Sequence, residues 1–573
     1  MRNIIKLSDQ WQKEEAKEVF SSFELPFKTP AINAPEKITL RRKIFISDED
    51  KNEEFFLEIK GLSGKITVFI GNEEAGKETC AIAPRYIDIT GFIKKGEDLE
   101  IRLEIIPLPN PHGDFTFFDS SVICVPRSHF DVKMNNDPIS VRTEFEKTGV
   151  KLFIKADIIN PNNYDVVVFK LISPLSQLIE VRSARPTDGS AEFFIEEPLR
   201  WDGVHSAYKY RAEIILQRDS EIIDTASKSF GIREFKAEKD GFFKLNGIKL
   251  PLGGCALRNA DKTEKDAESL KELDANLVLV NYIDPEERLL NKCDELGIMV
   301  FFLFSGNGND SDFDELKRIT RLLSCHPSAA FISHSGYDPV YRKKICSEIK
   351  SNSQYIYTAG PCDILNKESL SDAIPDVLLL YIDSPAEKSG YTELESSYSE
   401  IISEHPDYRF AVFPKVSLKK DENNYQENFS DFHERMWSIF GTKKNTVCYF
   451  TGFLTDNPEN SDLTGLISSN REKKDAFWFY KAQFSADKFI KIASLPEAST
   501  KKRITVKCYT NSSLPVLSVN GKVKKKLLPV KLSPCVYLFQ NVKLRRKENG
   551  ISLSCGNKTD KVSVYRSRSK KKK

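Results

Sequence analysis

The sequence predicts a multidomain chain: a β-rich amino-terminal part, a (β/α)8 barrel and a small terminal β-domain. Three observations carry this reading. Residues 1–235 show strand patterning without helices. From about residue 237, short apolar runs alternate with amphipathic stretches, eight of each, over about 250 residues, the size of a (β/α)8 barrel. From about residue 500, strand patterning returns. A length of 573 residues also suggests about four domains.

The elements follow in order. "FFLEIKGLSGKITVFIG" and "LEIRLEII" alternate apolar and polar residues, as half-buried strands do. "VKLFIKADIINPNNYDVVVFKLI" reads as strand, Asn/Pro turn, strand, and "KYRAEIILQRDSEIIDTASKSFGI" as a hairpin. Strands so spaced suggest two β-sandwiches that divide near "KMNNDPISV", where Asn and Pro cluster. The barrel strands are "LPLGGC", "NLVLVNY", "GIMVFFLF", "AAFISHS", "YIYTAG", "DVLLLYID", "YRFAVFP" and "NTVCYFTGF". Their continuous apolar character indicates burial on both faces. Helices are expected after each, among them "NKESLSDA" between strands five and six and "NREKKDAFWFYKAQFS" at the end. The last strands run from "RITVKCYT" to "KVSVY", with "VNGKVKKK" as a hairpin with a solvated face. The predicted units are 1–135, 136–236, 237–492 and 500–566, with a basic tail at 567–573.

Composition excludes several function classes. Lys plus Arg total 85 and Asp plus Glu 83, so a net charge of +2 gives no bulk drive toward nucleic acid or anionic membrane. No apolar run reaches membrane-spanning length, and the charged start carries no secretory pattern. The eleven cysteines include no CxxC pair and no cysteine–histidine cluster of zinc type. Reduced thiols in a cytoplasmic protein, with no metal and no cofactor, are the expectation. "SGNGND" lacks a phosphate-loop lysine, and no GxSxG signature appears.

The modules resemble glycoside hydrolase family 2, the family of β-galactosidases, β-glucuronidases and β-mannosidases. "LSDQW" and "ELPFK" are similar to the family's entry signature. "ITVFIGNEEAGK" followed by "YIDITGFIKKGEDLEIRLEI" resembles its jelly-roll segment. "EPLRWDGVHSAYKYRAEIIL" through "FGIREF" resembles the end of its immunoglobulin-like domain, and "DGFFKLNGIKLPLGG" the lead-in to its barrel. "DANLVLVNYIDPEERLLNKCDELGIMV", "CHPSAAFISHS" and "REKKDAFWFYKAQF" are similar to strands two and three, strand four and the last barrel helix. "VKCYTNSSLPVLSVNGK" resembles the β-domain that often follows. The resemblance implies a jelly-roll sandwich, an immunoglobulin-like sandwich, a barrel and a terminal β-sandwich. It also implies two glutamates at the barrel mouth, one the acid/base and one the nucleophile.

The resemblance fails where chemistry is expected. The strand-four motif of the family reads HPSxxxWSxGNE. Counting from His326, Pro327 and Ser328 places Gly336 at its Asn and Tyr337 at its acid/base glutamate. The strand-seven motif ends in Ser-Glu, whereas "DYRFAVFPKVS" places Pro414 and Lys415 there. Lysine cannot form the glycosyl ester, and its charge opposes an oxocarbenium-like transition state. The family's first-strand histidine falls at Arg258, its strand-two arginine at Leu279 and the neighbouring histidine at Tyr282. Phe450 falls at the sugar-stacking tryptophan.

Asp338 is the fallback catalytic carboxylate, with Asp284, Asp383 and Asp456 also following strands at the mouth. As ordinary structure, Asp338 is an N-cap before Pro339, and Asp383 and Asp456 serve turns. Arg258, Tyr282, His334, Tyr337, Asp383, Lys415 and Phe450 form the expected saccharide-binding set. Lys415 is expected to pair with Asp383 or Asp338, and His334 has the alternative role of a satisfied barrel histidine. Three functions follow: a carbohydrate-binding protein with hydrolysis lost or impaired, an active retaining β-glycosidase using displaced carboxylates, or a structural subunit pairing with an active homologue. A homo-oligomer is an open expectation.

Overall fold

The computed structural model describes residues 3–567, except 17–18, 31–36, 81–82, 109–113, 118, 127–128, 131–138, 162–165, 239–240, 259–262, 284–286, 306–309, 335–338, 354, 363–374, 384–387, 417–424 and 458–461. Eight parallel strands close into a barrel near the middle of the chain. They are β1 Leu252–Ala256, β2 Leu277–Val280, β3 Met299–Phe304, β4 Ala329–His334, β5 Tyr357–Cys362, β6 Val377–Asp383, β7 Phe410–Lys415 and β8 Thr446–Thr455. Each pairs with the next, and β8 pairs back onto β1, so no barrel edge is left open. A short ninth strand, β9 Gly465–Ile467, adds to β8.

Among the described residues, seven α-helices wrap the barrel: α1 Thr263–Leu273, α2 Arg288–Leu296, α3 Asp310–Ser324, α4 Pro339–Asn352, α5 Lys388–Glu404, α6 Tyr425–Met436 and α7 Asp475–Phe484. The helix expected at "NKESLSDA" lies outside the described residues. The last helix begins at Asp475, later than its apolar pattern suggested, because Lys473 and Lys474 are engaged with the β9 strand before it. No helix among the described residues is long and apolar enough to cross a membrane.

The alternation of each barrel strand divides two cores. Leu279, Phe301, Phe331, Leu379, Phe413 and Phe450 point into the barrel interior. Val278, Val300, Ile332, Leu380 and Val412 point outward against the helices. This parity decides which residues beyond the strand ends reach the mouth.

Three mainly antiparallel sandwiches flank the barrel. In the first, the order Asn3–Lys6, Asp119–Val125, Glu54–Lys60, Arg85–Asp88 faces the order Val19–Phe23, Trp11–Ala16, Ile38–Phe45, Asp98–Pro107, Gly64–Ile70, Glu73–Cys80. Trp11, Leu57, Leu103 and Ile105 fill the space between. The second sets three strands between Ile139 and Glu196 against four between Val166 and Phe230. The third packs four strands against five between Ile490 and Arg566. In it, Val519 pairs with Lys522 across Asn520 and Gly521, both at positive φ (51° and 75°), a hairpin turn that matches strand twist.

Polar contacts fix the sandwiches to the barrel. The Glu315 carboxylate on α3 accepts from the Ala83 amide at 2.8 Å and pairs with the buried Arg85. Trp201 Nε1 donates to the Asp294 carbonyl at 2.9 Å. On the far side, Lys507 and Tyr509 of the third sandwich reach Glu434 of α6 at 2.5 and 3.1 Å. Gly297, the left-handed cap of α2, lies against the Gly203 carbonyl, where a Cβ would come within 1.9 Å.

Candidate barrel-mouth site

The carboxyl ends of the strands form the mouth, where a barrel of this kind carries its chemistry. On β7, Ala411 and Phe413 point inward, so Lys415 follows onto the mouth, where it is exposed. On β6, Leu379 and Tyr381 point inward and Asp383 follows, also exposed. Asp383 and Lys415 are direct register partners. Among the described residues no ion pair joins them; the Lys415 ammonium instead lies 5.0 Å from the centre of the Tyr381 ring. The expected pairing with Asp338 lies outside the described residues, as do Gly336, Tyr337 and Asp284.

On β1, Ala256 points inward and Arg258 follows. Its guanidinium stacks 3.8 Å over the Phe453 ring. It also donates to the Thr455 carbonyl at 2.9 Å, Asp462 Oδ2 at 2.6 Å and Thr464 Oγ1 at 3.2 Å. Burial would raise the Asp462 carboxyl; the Thr464 hydroxyl and amide and Arg258 more than offset it and hold it below the usual carboxylate range.

The neighbouring Asp456 accepts from Lys474 Nζ at 2.6 Å and the Gly465 amide at 2.9 Å. Both side chains of that pair are buried. Burial pulls the Lys474 ammonium down against the pull of Asp456. Asp456 is therefore a buried partner of Lys474 and the Gly465 amide that ties the segment after β8 to the barrel.

Two expected saccharide contacts lie elsewhere. Phe450 is fully buried in the barrel interior, 5.3 Å from Phe301 and 6.0 Å from Phe413 between ring centres. It sits in the middle of β8, too deep to meet a ligand; Phe453, three residues on and past an irregularity at Gly452 (φ 88°), is the aromatic that stands nearer the mouth end of β8. His334 has outward parity, opposite Phe304, and is 1% exposed. Its ring packs edge-on against Tyr341 of α4 at 6.2 Å. A Cβ at Gly360 on β5 would come within 2.8 Å of its Nε2, so a glycine there makes room for the imidazole. His334 is thus a wall residue between sheet and helix. Tyr282 is half-buried just beyond β2, and Leu279 is packed in the barrel interior.

A second polar cluster, which the sequence pattern did not reveal, holds the opposite end of β4. His326 Nδ1 meets Asp294 at 2.9 Å and Nε2 meets Glu287 at 3.1 Å. Asp294 also accepts from the Ser328 amide and hydroxyl at 3.0 and 2.6 Å. Burial alone would push the imidazole down; Asp294 and Glu287 reverse this and raise it to about 9. The His-Pro-Ser stretch that carried the family resemblance is therefore an anchor for β4, remote from the mouth. Among the described residues no group of three or more His, Cys, Asp or Glu side chains is arranged to hold a metal ion.

Comparisons with known proteins agree on type. The chain is 22% identical over 625 aligned positions to a β-glucuronidase of Bacteroides fragilis, covering 91% of this chain and 86% of that one. It is 32% identical over 301 positions to a β-galactosidase of Thermoanaerobacterium thermosulfurigenes, covering 46% and 41%. The crystal structure of an FMN-binding β-glucuronidase from Facaelibacterium prausnitzii L2-6 superimposes with a TM-score of 0.86 at 18% identity, over 100% of this chain and 99% of that one. No family model matches the sequence.

Proposed function

The chain belongs to glycoside hydrolase family 2, and on that premise we propose that it binds saccharide at the barrel mouth with hydrolysis lost or strongly impaired. The observation that carries the proposal is Lys415. It stands exposed at the inward position ending β7, where the family resemblance calls for the nucleophilic glutamate. An ammonium there neither attacks an anomeric carbon to leave a glycosyl ester nor stabilises positive charge developing on the sugar ring. Asp456 offers no replacement, because it is buried against Lys474. The saccharide face is built instead from Tyr381, Phe453, Lys415, Asp383 and Arg258.

A second reading rests on Asp383. It is exposed, faces inward and lies on the strand beside Lys415, so a displaced-carboxylate glycosidase is its natural use. Release of nitrophenol from a panel of aryl β- and α-glycosides separates the two. The parent, Asp383→Asn, Asp338→Asn and Lys415→Ala proteins are assayed together, with saccharide binding followed by calorimetry. The proposal expects binding without turnover, weakened by Lys415→Ala. Turnover by the parent that either asparagine variant reduces by about 10²-fold or more would establish the second reading instead.

A further inference from the structure

The second sandwich and the barrel meet along a cleft of about 690 Å³ at the opposite end of the barrel from the mouth. Lys228, from the sandwich strand Glu221–Phe230, and Cys325, immediately after α3, both line it. Lys228 is 9% exposed, and its ammonium lies 2.7 Å from the Ile139 carbonyl and 2.8 Å from Cys325 Sγ. That is the separation of an ordinary N–H···O bond, although sulfur is the larger atom. The thiol in turn donates to the Arg321 carbonyl at 3.2 Å.

Cys325 differs in this from the other thiols. Eight of the eleven cysteines are buried, and burial pushes the remaining half-buried pair, Cys346 and Cys535, up. Cys325 alone of these three has a lysine ammonium in contact with its sulfur and an open cleft before it. A neighbouring cation favours the reactive thiolate, and the nitrogen already stands at the distance of a near-attack arrangement.

We propose that Lys228 and Cys325 form a reversible sulfenamide cross-link between sandwich and barrel when the cleft admits a peroxide. In the first step the Cys325 sulfur attacks hydrogen peroxide. An S–O bond forms, the O–O bond breaks and one water leaves, so sulfur is oxidised by two electrons and the peroxide reduced. In the second step Lys228 Nζ, having released its ammonium proton to solvent, attacks the sulfenic sulfur. An S–N bond forms and the S–O bond breaks, the hydroxyl leaving as a second water with one of the two amine protons, while the other stays on the sulfenamide nitrogen. One thiol, one amine and one peroxide thus give one sulfenamide and two waters. Two equivalents of an external thiol reverse it and leave with a disulfide between them.

The test uses the full chain, treated with hydrogen peroxide, alkylated, digested and read by mass spectrometry. The expected product joins the peptides containing residues 228 and 325 and is lighter than their sum by two hydrogens. It disappears on adding dithiothreitol and is absent from Cys325→Ser and from Lys228→Arg, two variants that keep size and charge. The oxidised parent also melts at a higher temperature than the reduced parent, a difference that Cys325→Ser abolishes. Cys325 recovered as sulfinic acid or as a disulfide, with residue 228 unmodified, would overturn the proposal. So would a cross-link heavier by one oxygen, which would place N–O–S in the bridge instead.

Discussion

His326 illustrates how one residue's partners outweigh its burial. Burial opposes the imidazolium, yet Asp294 and Glu287 hold it charged, with a pKa raised to about 9 against an unfolded value of 6.5. A folded pKa above the unfolded one contributes stability that is complete below pH 6.5 and is lost as pH rises toward 9. A shift of this size is worth about 3 kcal/mol at the acid end. His326→Asn should therefore lower the unfolding free energy most at pH 6, and the gap to the parent should narrow steadily up to pH 9. Denaturant titrations at a series of pH values check it; a gap that widens toward pH 9 would contradict it. At the same scale, the identity of Lys415 was legible from the motif alone, whereas the sequence left His334 between a saccharide contact and a barrel histidine and did not show the depth of Phe450. The register shift between Val300 and Phe301 alters how β3 and β4 align, and the depth of Phe450 along β8 is set by strand stagger. Neither quantity is written in local patterning.

Among the elements, β1 shows what close packing demands. A Cβ at Gly254 would stand 1.6 Å from the Leu277 carbonyl of β2, so alanine forces the two strands apart. Gly254→Ala should destabilise by more than about 4 kcal/mol, seen as loss of soluble protein or a steep fall in melting temperature. Gly521→Ala in the terminal hairpin, at φ 75° with nothing within 4 Å, should cost only about 1 kcal/mol. Comparable losses for both would contradict this account. Element order was readable because apolar runs of strand length alternate with amphipathic stretches of helix length. Element ends were less so: β5 runs Tyr357–Cys362, two residues later than "YIYTAG", because Pro361 and Cys362 are carried into the sheet by pairing with Leu379 and Leu380.

For the molecule as a whole, the barrel is held by its neighbours through buried polar contacts. Arg85 and Glu315, each less than 8% exposed, join the first sandwich to α3. Glu315→Ala removes the nearest counter-charge of a buried guanidinium, leaving Glu78 at 3.7 Å and the Thr79, Ala83 and Pro84 carbonyls as its partners, and should cost about 3 kcal/mol, while the Arg85→Met, Glu315→Leu double variant should recover most of that. Denaturation of the three proteins checks it; a double variant weaker than the single would contradict it. The amino-acid sequence by itself determined the order of sandwiches and barrel, the family, and the residue types at the ends of β4 and β7, since these follow from periodicity and motif spacing. Only the tertiary structure decided which of those residues share the mouth. Strand parity sends Lys415 and Asp383 inward and His334 outward, and long-range pairing gives Asp456 to Lys474, because a side chain's direction and partners depend on strands that are distant in the chain.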